Sequence, residues 1–297
     1  MAVINVDDIY TLDNTGKQVD DAVDYALANS NRNLLDNPFF TVNQRNFTSS
    51  TGVNSIYSVD RWYIARGTGT ISKTSNGIKI NGTSASRETT FQQMIDCGDL
   101  TGRTVTLSVN DGGTIRQITG IVPARTTSNN IFIRFTLRNG VSAFLYAMAT
   151  SSEYAYMLQF QVNAGYTIDL RAVKLELGSY STLANDMPPN YVEELAKCQY
   201  YCRVIEGSSD IAVGQAVSGT QIHFPMPFVM RAKPSGSTTG AIYASGTGGA
   251  LTASSVTVSG WSPNSVEVSV TITGATINTP YRLWCANGAK IILSADL

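Results

Sequence analysis

The sequence predicts a mainly β protein with a short N-terminal helix, a jelly-roll β-sandwich, a short helical connector and a C-terminal β-sandwich domain. Many short runs alternate apolar with polar residues, which is the period of a β-strand. Clusters of Gly, Asn and Asp separate these runs and supply turn-forming backbone. Charged residues make up only 14% of the chain, whereas soluble domains typically have about 25%. Short strands at regular intervals, with no helical pattern between them, favour an antiparallel sandwich or jelly roll.

Residues 1–32 differ from the rest of the chain and predict a helix. Thr15 and Gln18 are spaced as a capping box, in which each side chain satisfies a free amide at the helix start. The following apolar residues recur at spacings of three and four and form a stripe that needs a partner surface. These residues are Val19, Val23, Ala26 and Leu27. We expect the stripe to pack on its own domain, on copies of itself in a homo-oligomer or in a docking socket, and we assign residues 1–32 to attachment or trimerisation.

Residues 33–184 predict the first β domain. The clearest hairpin joins the alternating run 131–137 to the run 141–148 through Asn139-Gly140, the favoured pair for a type I′ turn. Further strands are predicted at 58–66, 77–81, 89–95, 104–109, 114–122, 154–162 and 166–177.

A break follows this block and predicts a helical connector at residues 185–198. Lys174 and Glu176 alternate with apolar residues, which predicts that the strand before the break is half-buried. Residues 187–190, Met-Pro-Pro-Asn, cannot continue a helix or a central strand. Residues 191–196 then have carboxylates near the start of a short helix, where they suit the helix dipole.

Residues 199–297 predict a second β domain. The run 266–272 alternates Val and Ile with polar residues, as a strand with one buried face does. Other strands are predicted at 211–217, 221–224, 241–244, 254–258, 281–285 and 290–294. The Gly, Ser and Thr-rich segments 235–240 and 246–249 predict exposed turns.

Composition excludes several classes of partner. A formal net charge of -1 without a long Lys or Arg run gives no basis for nucleic-acid binding. No apolar segment approaches the roughly 20 residues that span a bilayer, and the first ten residues do not resemble a signal peptide. We therefore expect a soluble chain made in a cytoplasm, without membrane insertion. The four cysteines form no Cys-x-x-Cys pair, so free thiols are favoured over a disulfide framework or zinc site.

Catalytic patterns are weak, and we predict no enzyme, no catalytic residue, no metal ligand and no cofactor. His223 is the only histidine, and a strand histidine with a satisfied ring is favoured over a catalytic triad. Glycoside hydrolysis needs two converging carboxylates. The pairs Asp96 with Asp99 and Glu153 with Asp169 are candidates, but acids in loops usually face water.

Sugar binding requires an aromatic face with polar groups around it. Trp261 lies in a turn-like segment and is the preferred exposed candidate, with Tyr243 as a weaker companion. Trp62 and Trp284 suit core or trimer-interface positions better. Trp261 and Tyr243 are therefore the predicted ligand-binding residues.

Several segments resemble bacteriophage tail-fibre and related virion appendage proteins. Residues 33–45 (NLLDNPFFTVNQR) and 57–62 (YSVDRW) resemble the opening of a carbohydrate-binding-module-like jelly roll common in such fibres. The segments that resemble its closing run and a fibre-tip domain are 174–179, 193–201 and 224–234. Residues 15–23 are similar, more weakly, to fibre attachment segments.

This resemblance implies a non-enzymatic, homotrimeric virion protein that recognises a host cell-surface glycan or protein. It would be made in the host bacterial cytoplasm, assembled on the particle exterior and attached to another virion protein through residues 1–32. Such jelly rolls often carry a structural calcium, which leaves residues 96–99 open as a calcium site. The alternatives are a capsid or collar head-fibre or decoration protein without a proven receptor, and a glycan-cleaving tailspike-type enzyme.

Overall fold

A computed structural model describes residues 32–52, 55–83, 88–208 and 210–296. The protein is mainly β, with several antiparallel sheets, which confirms the predicted fold class at this level. The predicted N-terminal helix, with Val19, Val23, Ala26 and Leu27, lies outside the described residues.

The strands of the described residues follow one another through most of the chain. They are β1 (Ser49–Thr51), β2 (Ile56–Tyr57), β3 (Tyr63–Arg66), β4 (Thr70–Thr74), β5 (Gly77–Asn81), β6 (Thr89–Ile95), β7 (Thr104–Asp111), β8 (Thr114–Ile121), β9 (Asn130–Arg138), β10 (Val141–Ala147), β11 (Tyr156–Val162), β12 (Thr167–Leu177), β13 (Cys202–Glu206), β14 (Ala212–Ser218), β15 (Gln221–Met226), β16 (Ser235–Thr239), β17 (Ile242–Gly246), β18 (Gly249–Thr252), β19 (Ser255–Ser262), β20 (Ser265–Thr271), β21 (Pro280–Cys285) and β22 (Lys290–Ser294). A 3-10 helix covers Leu183–Asn185, and helix α1 covers Tyr191–Gln199.

The chain forms two compact units, and both are discontinuous in sequence. Of the described residues, the first unit comprises those in the ranges 32–39 and 66–188, and the second those in the ranges 40–65 and 189–296. The layout predicted above, with boundaries after residues 32, 184 and 198, stays a prediction.

In the first unit, two antiparallel arrays of strands supply the core, an arrangement consistent with a β-sandwich. One array has the order β4-β5-β12-β7-β8 and the other the order β6-β11-β10-β9. Along each strand, alternate side chains turn to the core; fully buried examples are Ile80, Leu107, Leu145, Leu158 and Phe160. The opposite faces of these strands carry polar side chains, several of which are also buried, among them Thr90, Thr106 and Ser108.

The predicted hairpin between β9 and β10 is confirmed, but its turn is not the predicted type I′. Of its two loop residues only Gly140 has a positive φ, at 70°, whereas a type I′ turn needs positive φ at both. The pairing also shifts register between Val141 and Ser142. A left-handed glycine beside a register shift is the arrangement of a G1 bulge, which bends the hairpin while keeping it closed.

Strand β12 is buried on both faces from residue 172 to residue 176, so the half-buried strand predicted around Lys174 and Glu176 is wrong. Lys174 and Glu176 are 1% and 0% exposed. The Lys174 Nζ donates to Asp186 Oδ1 at 2.7 Å and to Thr182 Oγ1 at 2.6 Å. Thr182 in turn donates its backbone amide and its hydroxyl to the Glu176 carboxylate, at 2.9 and 2.7 Å. The segment after the strand thus covers its charged face and pairs every charge there.

In the second unit, the strands form a three-stranded sheet of order β13-β22-β16 and a seven-stranded sheet of order β18-β17-β21-β14-β15-β20-β19. Their inward side chains form one core, with Phe224, Val268, Leu283 and Ile291 fully buried. Residues 235–239 form strand β16, so the exposed turn predicted there is wrong. The backbone of this segment pairs with β22. A strand at the edge of a sheet can form these backbone hydrogen bonds without apolar side chains, so the polar composition did not reveal it.

Helix α1 lies where the sequence predicted a short helix and continues to Gln199, whereas its role as a connector stays a prediction. The Asn190 side chain accepts the backbone amide of Val192 at 2.9 Å, which caps the helix start. Glu193 and Glu194 lie in the first turn and Lys197 in the last, so these charges complement the helix dipole.

A buried charge network joins the two sequence segments of the second unit. Arg45 Nη2 lies 2.6 Å from Asp296 Oδ2, and Arg61 Nη1 lies 3.3 Å from Asp296 Oδ1. Asp60 accepts the backbone amide of Gln44 at 2.6 Å and its side-chain amide at 2.9 Å. Both aspartate side chains are fully buried, and burial raises the pKa of Asp60, against the opposing effect of Arg45. The residues of the NQR and VDRW motifs thus hold this unit together.

Candidate functional site

The outward face of β6, β11, β10 and β9 carries a row of polar and aromatic side chains. Gln92 lies opposite Gln159, Gln159 opposite Phe144, and Phe144 opposite Arg134. Residues that pair directly across neighbouring strands point to the same face, and the core residues of these strands point to the other. We call this set, together with Tyr146 and Gln161, the amide face.

Hydrogen bonds fix the amides of this face. Gln159 Nε2 donates to Gln92 Oε1 at 2.9 Å. Gln159 Oε1 accepts from the Tyr146 hydroxyl at 3.2 Å and from Gln161 Nε2 at 3.0 Å. Gln92 and Gln159 are each only 9% exposed although they point outward. The network therefore fixes the orientation of these amides relative to one another.

An aromatic surface adjoins the amides. The Phe144 and Tyr146 ring centres lie 6.5 Å apart with 48° between the ring planes, and the Arg134 guanidinium carbon lies 5.8 Å from the Phe144 centre. Both rings are half-buried, so each keeps surface that a ligand can contact. A ring plane beside fixed donors and acceptors matches the apolar and polar faces of a pyranose.

Burial keeps the Tyr146 phenol of this face protonated. Burial raises the pKa of Tyr146, partly offset by Arg134 and Arg66. Arg66 forms an ion pair with Glu88. The Tyr146 hydroxyl is therefore a hydrogen-bond donor at neutral pH, as its contact with Gln159 requires.

This arrangement suits hydrogen bonding to a ligand. Glutamine amides and a phenol both donate and accept hydrogen bonds, and a guanidinium donates them. Hydroxyl groups of sugars both donate and accept, so an array of amides with fixed orientation is complementary to them. The sequence alternation placed these residues on one face of each strand, but only the register between strands brings them into one row.

The two predicted ligand-binding residues are not brought together. Tyr243 lies on β17 and Trp261 on β19, and four strands lie between these two in the sheet. Tyr243 instead stacks on Trp284, with ring centres 4.3 Å apart and 18° between the planes. Trp261 is 40% exposed, whereas Trp62 is fully buried. The roles of Tyr243 and Trp261 in ligand binding stay predictions.

Three of the four candidate carboxylates share a cavity in the first unit. Asp96, Asp99 and Glu153 line an open cavity of about 530 Å³, together with Cys97 and Arg125. Bonds from Thr101 to the Asp99 carboxylate lower the pKa of Asp99, which is opposite to the raised pKa of a catalytic acid. The Arg125 side chain donates to the backbone oxygens of residues 148, 149, 152 and 154 and so holds the loop before β11. Asp169 instead contacts Arg171 at 3.3 Å.

Residues 96–99 were also left open as a calcium site. Across the described ranges, no group of three or more His, Cys, Asp or Glu side chains is placed to hold a metal ion. Calcium at residues 96–99 therefore stays a prediction. All four cysteines are free thiols, as predicted, and burial raises the pKa of Cys202 to about 12.

His223 is held by a carboxylate on the outer face of the second unit. Its Nδ1 lies 3.0 Å from Glu267 Oε1, which also accepts from the Ser259 hydroxyl at 2.8 Å. The carboxylate thus lies between the serine and the histidine. In a catalytic triad the histidine holds that central position and contacts the serine directly, so the observed order is that of a satisfied strand histidine.

Comparison with known proteins gives no assignment: no protein-family model and no curated protein matches this chain. In the part of the chain that the structure describes, no helix has the length and apolar character needed to cross a membrane.

Proposed function

We propose that this chain is a non-enzymatic glycan-binding protein and that the amide face is its binding surface. The observation that carries the proposal is the network of Gln92, Gln159, Gln161 and Tyr146, with hydrogen-bond lengths of 2.9 to 3.2 Å. Its amides are oriented before a ligand arrives, and the half-buried Phe144 ring lies next to them. Binding to such a face costs little ordering of side chains.

The biological setting that we propose is a bacteriophage virion appendage. Its support is the resemblance of residues 33–45, 57–62, 174–179 and 193–201 to tail-fibre proteins with a carbohydrate-binding-module-like jelly roll. In this setting the chain forms a homotrimer on the particle exterior, attached through residues 1–32 to another virion protein. The ligand of the amide face is then a glycan of the host cell surface.

The glycan proposal is tested on an array of bacterial surface glycans with the full-length chain. Gln159→Met keeps the side-chain length but removes the amide at the centre of the network. We expect retention on the array to fall about tenfold or more, because uncompensated loss of buried hydrogen bonds costs roughly 1–3 kcal/mol. The matched control is Gln117→Met, which changes an exposed glutamine on β8 and should retain glycan normally.

A wild-type chain that retains no glycan, or a Gln159→Met variant that binds as well as wild type, contradicts the proposal. Tyr146→Phe removes only one hydroxyl and replaces Gln159→Met in this test if that variant fails to fold.

Light scattering tests the proposed homotrimer, and a reducing-sugar assay tests the proposed absence of glycan cleavage. We expect about three times the chain mass of 31.9 kDa and no sugar release from a retained glycan; a monomer that releases sugar contradicts both.

A further inference from the structure

The second unit has an open cavity of about 550 Å³ on strands β14, β17 and β21. Its lining includes Arg282, Ser245, Thr247, Val213 and Pro280. We call it the Arg282 pocket. Its volume is within the range of small-molecule sites, roughly 300–1,000 Å³.

Sheet geometry explains why these residues meet. Arg282 lies opposite Ser245 on one neighbouring strand and opposite Val213 on the other. Residues in direct register share a face, so a cation, a hydroxyl and an apolar side chain lie in one row. On the opposite face of β21, Leu283 belongs to the buried core, and Tyr281, also a core residue, contributes to the lining of the pocket.

The hydrogen-bonding groups of the pocket are mainly donors. The Trp284 indole Nε1 donates to Ser245 Oγ at 2.7 Å, which leaves the Ser245 hydroxyl hydrogen free to donate to a ligand. The Arg282 side chain is 66% exposed and uses Nη1 to contact Asp210 at 3.0 Å. Its other guanidinium hydrogens point in fixed directions that suit a carboxylate.

The charge of the lining is positive. Among the described residues that line the pocket, Arg282 is charged and none is a carboxylate. Asp210 contacts Arg282 from outside the lining and partly neutralises it. Val213 and Pro280 add an apolar wall, and Thr247 adds another hydroxyl.

We propose that the Arg282 pocket binds an acidic sugar residue, with its carboxylate on Arg282, its hydroxyls on Ser245 and Thr247, and its C–H face on Val213 and Pro280. This inference rests on the proposed function, since it takes a glycan as the ligand. It adds a second site and a substrate class, namely glycans that contain uronic acids. Asp210 then competes with the ligand for the guanidinium.

The probes are D-glucuronate and D-glucose, which differ by the carboxylate. The full-length chain is titrated with each, and the NMR signal of the Trp284 indole, assigned by its loss in Trp284→Phe, reports the pocket. We expect glucuronate to bind about tenfold or more tightly than glucose, as charge-assisted hydrogen bonds allow. Arg282→Gln should abolish that preference, and Arg116→Gln, an exposed arginine of the first unit, should leave it unchanged.

Asp210→Asn distinguishes a ligand site from a structural ion pair. Release of Arg282 from its partner should raise glucuronate affinity a few-fold, whereas a structural pair would give no gain. Equal binding of the two sugars, or glucuronate binding that survives Arg282→Gln, overturns the inference. Neither result affects retention of glycans through Gln159, so failure of this inference and failure of the proposed function are separable.

Discussion

Single residues show which details of this fold need three-dimensional information. Asn139-Gly140 was enough to predict a hairpin, but the choice between a type I′ turn and a G1 bulge depends on the twist and pairing of both strands. The amide face gives the same lesson. Alternation predicts that Gln92 and Gln159 avoid the core, yet their 2.9 Å contact depends on strand order, which their local sequence does not encode.

Gly140 is constrained in two ways, and Gly140→Ala tests both. Its φ is 70°, and an added Cβ would fall against the Tyr166 ring. We expect the variant to lower the free energy of unfolding by about 1–3 kcal/mol, from left-handed strain and displacement of the ring. Urea denaturation followed by circular dichroism measures the loss.

Gly112→Ala is the matched control for this substitution. Gly112 has a φ of 61° but no atom within 4 Å of an added Cβ. The decrease in the free energy of unfolding of Gly112→Ala therefore measures backbone strain without a steric clash. Equal losses in the two variants would show that the Tyr166 contact contributes nothing.

At the scale of the element, strand β12 shows why alternation can mislead. Lys174 and Glu176 predict a solvated face, because charged side chains seldom lie in a core unless they are paired. The partners are Thr182 and Asp186, which belong to the segment after the strand. The alternation of residues within β12 does not indicate that the segment with Thr182 and Asp186 folds back over the strand.

Thr182 is the centre of this buried group, and Thr182→Val tests its role. The hydroxyl accepts from Lys174 and donates to Glu176, so valine, which has a similar shape, removes one bond from each buried charge. Hydrogen bonds to charged groups contribute about 1.5–3 kcal/mol each, and we expect the free energy of unfolding to fall by about 2–4 kcal/mol. The control is Thr136→Val on β9, an exposed threonine, which should change stability by less than about 0.5 kcal/mol. A Thr182→Val variant as stable as this control would contradict the role.

At the scale of the whole molecule, the chain does not divide in sequence order. Phe40–Ala65 belongs to the same unit as Pro189–Leu297, and its contacts span the sequence: Arg61 and Asp296 are 235 residues apart. The local sequence predicted a helix after residue 190, where helix α1 lies, because its capping residue and first-turn carboxylates are encoded locally. Local sequence patterns could not predict that Phe40–Ala65 joins the second unit, since nothing near Arg45 or Arg61 indicates an aspartate at position 296.

Asp296→Asn tests whether the buried charge network stabilises the second unit independently of the first. The substitution preserves shape but leaves Arg45 and Arg61 buried without this carboxylate, and loss of one partner of a buried pair costs about 3–5 kcal/mol. All three tryptophans lie in the second unit, so tryptophan fluorescence follows its unfolding while far-UV circular dichroism follows both units. We expect Asp296→Asn to lower the urea midpoint seen by fluorescence and to split the circular dichroism transition into two steps.

Thr182→Val, in the first unit, is the control and should leave the fluorescence midpoint unchanged. If both variants shift both signals equally, the chain unfolds as one cooperative body and the network does not act within the second unit alone.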